Sequence, residues 1–390
     1  MLPRIGLIGV GALGCEHYYN LIDQEQNGNL NLTCLCDVDE TLLQAPGTRI
    51  SAGQARLQMT NIALFTTPEE RTAALHQCRQ AFAGSLPRMY TNYEAMLEKE
   101  QLDGVIVGIP NYQHKEVTLA ALKRNVHVLC EKPMASTLDD CRAMMEAEKQ
   151  SDAFIQVGLH RRYNKFFRFV ADMLHSGRLG DLKTMWGQEF RGDWAARATP
   201  VATDRGTTNW RFSRKHAGGS LQEKICHDFD VFNWWAGALP SRVTAMGDIG
   251  IYRDGRDTLD HAQILFEYEN GIQGWFALSM FCRHGRFKGR YMGIIGADGS
   301  LDFDSHNGEC TVYQTDGRRE EHTGLNPPNL PIHHPGQATY LELGAFLKCI
   351  ETAQKPYADS TVGLHSLLAP VAAQLSIDRG GETIYPQTLL

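Results

Sequence analysis

Short apolar runs alternate with amphipathic segments through the first part of the chain. Residues 4–10 (RIGLIGV) are mostly apolar, and similar runs follow at 30–39, 102–110 and 126–133. Runs of this kind are typical of strands buried on both faces of a parallel sheet. Because stretches with helical spacing separate them, the pattern predicts βαβ units. We therefore predict an α/β fold whose first domain, residues 1–135, holds a doubly wound parallel sheet.

The pattern changes after residue 136. Segments rich in aromatic and β-branched residues are separated by the turn sequences ENG, ADGS and TDG. This arrangement predicts antiparallel strands joined by hairpins. Two amphipathic helices are predicted near the end, at 339–354 and 361–378. We therefore predict that residues 136–390 form an α+β domain with a large, open, mostly antiparallel sheet.

The stretch between Asp37 and Tyr90 is much longer than one crossover between parallel strands requires. Helical patterns occur within it near 51–59 and 68–83. Because long loops without secondary structure are uncommon in compact domains, we predict a helical insertion over about 45–88.

One predicted helix, residues 219–237 (GSLQEKICHDFDVFNWWAG), places acidic groups and a histidine in an otherwise apolar stretch. Glu223 and His227 are four residues apart and so share a face, with Asp230 close behind. The pattern predicts a helix that buries one face and presents chemistry on the other. The predicted buried face carries Ile225, Phe229 and Phe232.

Length, charge and cysteine content narrow the class of protein. A chain of 390 residues is longer than a domain with a single hydrophobic core usually is, which agrees with two domains. Its net charge of −7 gives no general attraction for nucleic acid or anionic membranes. No apolar run approaches a membrane span, and the N-terminus lacks the features of a signal peptide. The ten cysteines are few for a chain of this length, so we expect a cytoplasmic protein. From the net charge and the lack of a long apolar run we expect no nucleic-acid or membrane partner.

A glycine motif follows the first predicted strand. Gly9, Gly11 and Gly14 fit the G-x-G-x-x-G pattern and open a predicted helix, while Asp37 ends the next strand. This context predicts a dinucleotide site in which backbone N–H groups at the helix start bind a pyrophosphate. The alternative for Asp37 is a plain turn residue. The predicted cofactor contacts in this turn are Gly9, Val10, Gly11, Ala12, Leu13 and Gly14.

The identity of the cofactor depends on the charge beside the adenosine ribose. Asp37 would accept hydrogen bonds from the ribose hydroxyls and would repel a 2′-phosphate. Val38, Asp39 and Glu40 supply no arginine to bind such a phosphate. We therefore expect NAD, with NADP disfavoured.

Two further predicted strands end in polar residues. Pro110, Asn111 and His114 follow the strand at 102–110, and Glu131 and Lys132 follow the next. Carboxyl ends of parallel strands hold ligands in α/β sheets, so we predict that all five contribute to the cofactor site. The alternatives are a helix-capping loop for the first group and a surface ion pair for Glu131 and Lys132.

These motifs, in this order and spacing, resemble the family of glucose–fructose oxidoreductase, inositol dehydrogenase and MocA (Gfo/Idh/MocA). The resemblance covers nearly the whole chain. It implies a Rossmann domain, a hydroxyl contact by Lys132 and a proton-accepting His227. The family most often has aspartate where this chain has Glu223, which leaves three roles open for that residue: orienting His227, binding a substrate hydroxyl or pairing elsewhere. The motifs are GVGALG, VGIPNYQH, CEKP, VGLHRRYN, NWR and GGSLQEKICHDFD.

The chemistry itself requires residues of these types. Moving hydride from a carbinol carbon needs a base for the hydroxyl proton, and histidine titrates in the useful range. A lysine near the same oxygen stabilises the developing alkoxide. We therefore predict Lys132, His227 and Glu223 as catalytic residues. The alternatives are a buried structural role for His227 and an ordinary helix salt bridge for Glu223.

Other polar residues are weaker candidates. The basic run at 283–290 is usually a solvated hairpin, but near a pocket it would favour an acidic or phosphorylated sugar. His333 and His334 lack ligand partners at suitable spacing, so we predict no metal. Candidate substrate residues, for which ion pairing without a functional role is the alternative, are His160, Arg161, Arg162 and Tyr163. Trp210 and Arg211 are further candidates, which would reach either the substrate or the cofactor.

Together these features predict an NAD-dependent oxidoreductase of sugars, inositols or related polyols. The resemblance further implies a homodimer or homotetramer. One alternative is a redox-neutral enzyme that cleaves glycosides by transient oxidation and elimination with bound NAD. The other is a non-catalytic nucleotide-sensing protein, against which the presence of both Lys132 and His227 argues.

Overall fold

A computed structural model describes residues 1–44, 87–195, 200–203, 206–282, 289–305, 308–325 and 337–390. The predicted insertion at about 45–88 thus lies almost entirely outside the described residues. The chain forms two compact units. The first takes in the described parts of residues 1–135, 139–163 and 329–361, so it continues beyond residue 135. The second takes in the described parts of 136–138, 164–328 and 362–390.

The first unit contains a six-stranded sheet in the order β3-β2-β1-β4-β5-β6, with every pair parallel. This order is that of a doubly wound Rossmann sheet, which confirms the predicted fold class. The central strands are buried on both faces, as their continuous apolar runs indicated. The strands are β1 (Arg4–Ile8), β2 (Asn31–Cys36), β3 (Arg88–Tyr90), β4 (Gly104–Val107), β5 (His127–Cys130) and β6 (Ile155–Val157).

The second unit contains an eight-stranded sheet in the order β10-β11-β12-β7-β13-β14-β15-β16. All neighbours are antiparallel except β7 and β12, which confirms the prediction of a large, mostly antiparallel sheet. A separate hairpin pairs β8 with β9. The strands are β7 (Leu182–Phe190), β8 (Pro200–Thr203), β9 (Gly206–Asn209), β10 (Pro240–Asp248), β11 (His261–Tyr268), β12 (Gln273–Ser279), β13 (Gly289–Gly296), β14 (Gly299–Asp304), β15 (Glu309–Gln314) and β16 (Arg319–His322).

Local caps mark some of the helix ends. The Asn92 side chain accepts a hydrogen bond from the Ala95 N–H at 2.7 Å, and Gly237 ends the helix Ser220–Ala236 in the left-handed conformation, with φ +61°. The described helices are α1 (Ala12–Gln26), α2 (Glu40–Gln44), α3 (Tyr93–Lys99), α4 (His114–Leu122), α5 (Leu138–Lys149), α6 (Lys165–His175), α7 (Arg214–Ala217), α8 (Ser220–Ala236), α9 (Ala338–Thr352) and α10 (Ser360–Asp378).

The core of the second unit is an aromatic cluster between α8 and the large sheet. The Phe229 and Phe232 rings lie 5.2 Å and 5.7 Å from the Phe266 ring of β11. The Phe232 ring also lies 6.2 Å from that of Phe276 on β12. Offset and edge-on contacts of this kind add to the burial of large apolar rings.

Helix α8 differs from its sequence-based description. We expected one exposed face, but every residue from Ser220 to Asn233 is buried, together with Trp235. The polar face is covered because other segments of the second unit, including α6 and α7, pack around the helix. Its acidic and basic side chains must therefore find partners inside the protein.

Among the described helices, α10 is long and apolar enough to cross a membrane by length and composition alone. Of its 18-residue window, 67% is buried inside the protein. A mostly buried core helix passes the same test, so this gives only weak evidence for a membrane span.

Candidate active site

The turn between β1 and α1 is shaped by glycines. Gly9 has φ +90°, and a Cβ there would lie 2.6 Å from the Gly108 carbonyl oxygen. A Cβ on Gly14 would lie 1.9 Å from the Gly9 carbonyl oxygen. A Cβ on Gly11, in contrast, would meet nothing within 4 Å. The turn is therefore closed on the protein side at Gly9 and Gly14 and open at Gly11.

The remaining residues of this turn lead into α1. Val10 is buried, while Ala12 and Leu13 form the first turn of the helix. No side chain caps this helix start. Backbone N–H groups at such a start are suited to phosphate oxygens.

Asp37 lies directly after β2 and is tied to the glycine turn. Its Oδ2 accepts a hydrogen bond from the Val10 N–H at 2.8 Å, and its Oδ1 accepts one from the Asp39 N–H at 2.9 Å. Because Asp39 and Glu40 follow, three carboxylates lie within four residues of chain. This end of β2 is unfavourable for an additional phosphate.

The segment after β4 begins with Pro110 and a 3₁₀ turn at Asn111–Gln113, in which Asn111 is buried. His114 follows at the start of α4. Its Nδ1 lies 3.0 Å from the Pro133 carbonyl oxygen and its Nε2 lies 2.9 Å from that of Ile109. Burial lowers the pKa of His114, although the two carbonyl contacts oppose this. The ring holds the loops after β4 and β5 together, so any contribution to ligand binding is through their position.

A buried pair supports the loop after β5. His17 Nε2 lies 2.7 Å from Glu131 Oε1, and both side chains are buried. Glu131 Oε2 accepts a hydrogen bond from the Lys132 N–H at 3.1 Å. Burial opposes ionisation of Glu131, but the His17 contact and the charges of His160 and Lys132 outweigh it and lower its pKa.

His17 was not among the predicted residues. Its sequence signal is a polar residue three positions after Gly14, on the helix that the glycine turn opens. Gly158 closes the other side of the pair, because a Cβ there would lie 2.9 Å from Glu131 Oε2. The carboxylate and the backbone of half-buried Lys132 are thus held from several directions.

The predicted substrate residues His160–Tyr163 form a 3₁₀ turn in which Arg161, Arg162 and Tyr163 are buried. The Arg162 guanidinium lies 5.3 Å from the Tyr357 ring centroid. The Tyr163 hydroxyl accepts a hydrogen bond from the Ala358 N–H at 3.4 Å, and burial raises its pKa. Arg162 and Tyr163 therefore pack within the first unit against the segment before α10.

In the second unit, Glu223 and His227 lie buried one turn apart on α8. Glu223 Oε1 accepts a hydrogen bond from Arg211 Nε at 3.0 Å. The Arg211 guanidinium lies 4.7 Å from the Trp210 ring and 5.0 Å from that of Trp194. Of the roles left open for Glu223, the structure shows pairing with another segment. Trp194 was not predicted, since only the tertiary fold brings it to Arg211.

The structure thus assembles two groups of predicted residues, one in each unit. The glycine turn, Asp37, the Pro110 segment and the Glu131–Lys132 pair all follow carboxyl ends of parallel strands. Arg211, Trp210, Glu223 and His227 belong to the second unit. Among the described residues, no group of three or more His, Cys, Asp or Glu side chains is arranged to hold a metal ion. His333 and His334 lie outside them.

Two family models match the chain. The model of the Gfo/Idh/MocA oxidoreductases, with an NAD-binding Rossmann fold, matches residues 3–159. The model of the Gfo/Idh/MocA C-terminal domain matches residues 167–302. The two models correspond to the first and second sheets respectively, apart from the last strands.

Relatives include sugar-processing enzymes. The chain is 26% identical to 1,5-anhydro-D-fructose reductase of Ensifer adhaerens, over 80% of this chain and 86% of that protein. It is also 26% identical to 2,7-anhydro-N-acetylneuraminate hydratase of Mediterraneibacter gnavus, over 59% of this chain and 58% of that protein. For the first curated relatives the match spans less than two thirds of their own length. The crystal structure of an oxidoreductase domain protein from Kribbella flavida has the same fold, with TM-score 0.77, 20% identity and 99% coverage of both chains.

The glycine turn yields a prediction that separates binding from folding. Gly11→Ala should weaken NAD binding about tenfold or more, because its methyl group occupies the open side of the turn where we place the pyrophosphate. Its φ of −68° suits alanine, so the thermal stability should not change. Calorimetric titration with NAD and a melting curve followed by circular dichroism measure the two effects.

Gly14→Ala is the matched comparison, since its methyl group would overlap the Gly9 carbonyl and should lower the stability of the first unit. Wild-type NAD affinity in Gly11→Ala would show that the cofactor does not lie against this turn.

Proposed function

Because the chain belongs to the Gfo/Idh/MocA oxidoreductase family, we propose that it is an NAD-dependent dehydrogenase of a sugar, inositol or related polyol. The observation that carries the proposal is the glycine turn of the first unit, with its open side at Gly11 and the Asp37 carboxylate hydrogen-bonded to the Val10 N–H. The matches to an anhydrofructose reductase and to inositol 2-dehydrogenases support this class of substrate.

Bound NAD supplies the hydride acceptor at its nicotinamide ring. In the proposed reaction His227 accepts the proton of the substrate hydroxyl through a ring nitrogen. The Lys132 ammonium stabilises the negative charge that develops on the same oxygen. The hydrogen bond from the Lys132 N–H to Glu131 fixes the backbone that carries this ammonium group.

Glu223 adjusts the electrostatics of the proposed base. As a carboxylate one turn away on the same face of α8, it favours the imidazolium that forms when His227 accepts a proton. Arg211 compensates part of that charge through its hydrogen bond to Glu223. The Trp194 and Trp210 rings both lie within cation–π distance of the Arg211 guanidinium and so limit its movement.

A redox-neutral reaction is the second candidate, favoured by the match to a relative named as a hydratase. Addition of water and cleavage of a glycoside cause no net oxidation, although transient oxidation of a sugar hydroxyl would use the same base and lysine. A screen of sugars, inositols and aryl glycosides with NAD separates the two. A dehydrogenase accumulates NADH, whereas a redox-neutral enzyme consumes its substrate with no net NADH.

We further propose that the chain forms a homodimer or homotetramer through the open face of its large sheet. On this face Leu265 is 63% exposed and Trp275 is 42% exposed. The Trp275 ring stacks on that of Trp186 at 5.3 Å, and Gly293 leaves the room that Trp186 needs. A contiguous apolar patch of this kind is typical of a protein interface. Further exposed apolar residues on the face are Met246, Ile295 and Tyr313.

The proposed catalytic roles predict a specific kinetic effect. Lys132→Met and His227→Ala should each lower turnover about 100-fold or more, because each removes a group that acts on the reacting hydroxyl. Both variants should retain NAD affinity. Nicotinamide absorbance measures turnover, and calorimetry measures affinity.

The exposed Lys123, at the end of α4, provides the control variant Lys123→Met, which should leave turnover unchanged. Rates near wild type in Lys132→Met or His227→Ala would remove that residue from the mechanism.

The proposed interface predicts that Leu265→Glu dissociates the oligomer, because it buries a charge in the apolar face. Light scattering after size exclusion gives the mass of the particle. Ile251→Glu adds the same charge at an exposed loop residue and should leave the mass unchanged. A monomeric wild-type protein would refute the interface.

A further inference from the structure

A buried carboxylate in the second unit forms ion pairs with three cationic side chains. Glu189 Oε1 lies 2.8 Å from Lys224 Nζ and 2.9 Å from Arg191 Nη1. Glu189 Oε2 lies 3.2 Å from the Arg290 guanidinium. We call Glu189, Arg191, Lys224 and Arg290 the cationic cluster. Glu189, Arg191 and Lys224 were not among the predicted site residues. Arg290 was noted only as part of the basic run at 283–290.

The fold explains why these residues meet. Along β7, Met185, Gly187 and Glu189 alternate onto the buried face that α8 covers. Arg290 is the direct cross-strand partner of Glu189 on β13. Lys224 reaches the same carboxylate from the first turns of α8.

Three cationic side chains and two carboxylates, Glu189 and Asp228, make up the close ion pairs of this region. Asp228, one turn after Lys224, is the second acid, with its Oδ1 3.8 Å from Arg290 Nε. Asp304 acts on Arg290 more weakly. Burial lowers the pKa of Lys224 to about 7; Glu189 and Asp228 oppose this shift, and the charges of Arg191 and Arg290 add to it. The environment of Lys224 is therefore one in which an additional negative charge would be stabilised.

The two guanidinium groups retain donors for a ligand. Arg191 is 33% exposed and Arg290 is 23% exposed, so neither is sealed inside the protein. In the part of the chain that the structure describes, Arg191 Nε and Nη2 and Arg290 Nη1 make no hydrogen bond. Guanidinium groups pair with carboxylates and phosphates through parallel N–H donors.

The cluster also borders the proposed base. Each helical residue advances about 100° around the axis, which places His227 about 40° from Glu223 and about 60° from Lys224. His227 thus lies on the surface of α8 between the Arg211–Glu223 pair and the cationic cluster.

We propose that the cationic cluster is an anion subsite, which binds the carboxylate or phosphate of an acidic sugar whose hydroxyl group is presented to His227. The second half of this statement rests on the proposed function, whereas anion binding by the cluster does not. The inference narrows the substrate class from polyols in general to sugar acids and sugar phosphates.

Matched ligand pairs test the subsite by calorimetry, with and without saturating NAD. D-Gluconate is compared with D-glucitol, and D-glucose 6-phosphate with D-glucose, so that each pair differs mainly in its anionic group. At least one acid should bind about tenfold or more tightly than its neutral counterpart. The two pairs also distinguish a carboxylate site from a phosphate site. Equal affinity within both pairs would overturn the proposal.

Arginine variants locate the effect. Arg191→Gln and Arg290→Gln should each remove most of the preference for the acid, whereas Arg319→Gln on the edge strand β16 should leave it intact. All six tryptophans lie in the second unit, so their fluorescence during thermal unfolding reports whether that unit remains folded. Should Arg290→Gln unfold, the more exposed Arg191→Gln decides the outcome. An unchanged preference in Arg191→Gln would exclude the cluster.

The wild-type protein offers an independent readout through Lys224. Because the charged ammonium attracts the anion, affinity for D-gluconate, whose carboxylate stays ionised over this range, should be higher at about pH 6 than at about pH 8, where Lys224 has lost its proton. The neutral sugar should not show this difference, which excludes an effect of pH on the pocket that is independent of the charge of the ligand. Equal pH dependence for acid and neutral sugar would contradict the role of Lys224.

The two proposals fail in distinguishable ways. Preferential binding of acids without NADH formation from any sugar would leave the subsite standing and refute the dehydrogenase. Oxidation of neutral polyols, together with equal affinity for acids and their neutral counterparts, would support the dehydrogenase and refute the anion subsite.

Discussion

The close approach of Gly9 and Gly14 is the constraint on which the cofactor site depends. The Gly9 carbonyl oxygen occupies the place of any side chain on residue 14, so helix α1 begins directly against strand β1. Asp37 then reaches the turn and accepts the Val10 N–H at 2.8 Å. The close backbone packing thus sets the start of the helix, and the pairing of β1 with β2 brings the Asp37 carboxylate to the same turn.

Charge compensation is the corresponding constraint in the second unit. Helix α8 is buried nearly all round although it carries Glu223, Lys224 and Asp228. Such a helix is stable only where other segments provide partners. Arg211 provides one for Glu223, and Glu189 provides one for Lys224. These partners line the same stretch of helix as His227, so the groups that permit burial also define the electrostatics of the proposed site.

The fold could be predicted from the sequence to a large extent because its signals are local. Continuous apolar runs identify β1, β4 and β5, and turn sequences identify the hairpins of the large sheet. The cofactor turn and Asp37 were also predictable, since their spacing follows from a single βαβ unit. What the sequence could not provide were pairs made by tertiary structure. His17 meets Glu131 across 114 residues, and Glu189 comes from a strand 35 positions before Lys224. The burial of nearly all of α8 was missed for the same reason.

The account as a whole rests on NAD bound with its adenosine ribose at Asp37. Parallel calorimetric titrations of the wild-type protein with NAD and NADP examine this most directly. The three carboxylates at Asp37, Asp39 and Glu40 should disfavour the 2′-phosphate, so NAD should bind about tenfold or more tightly than NADP, a difference of about 1.4 kcal/mol or more. NADP binding as tight as NAD, or tighter, would contradict the placement of the cofactor and the reaction built on it.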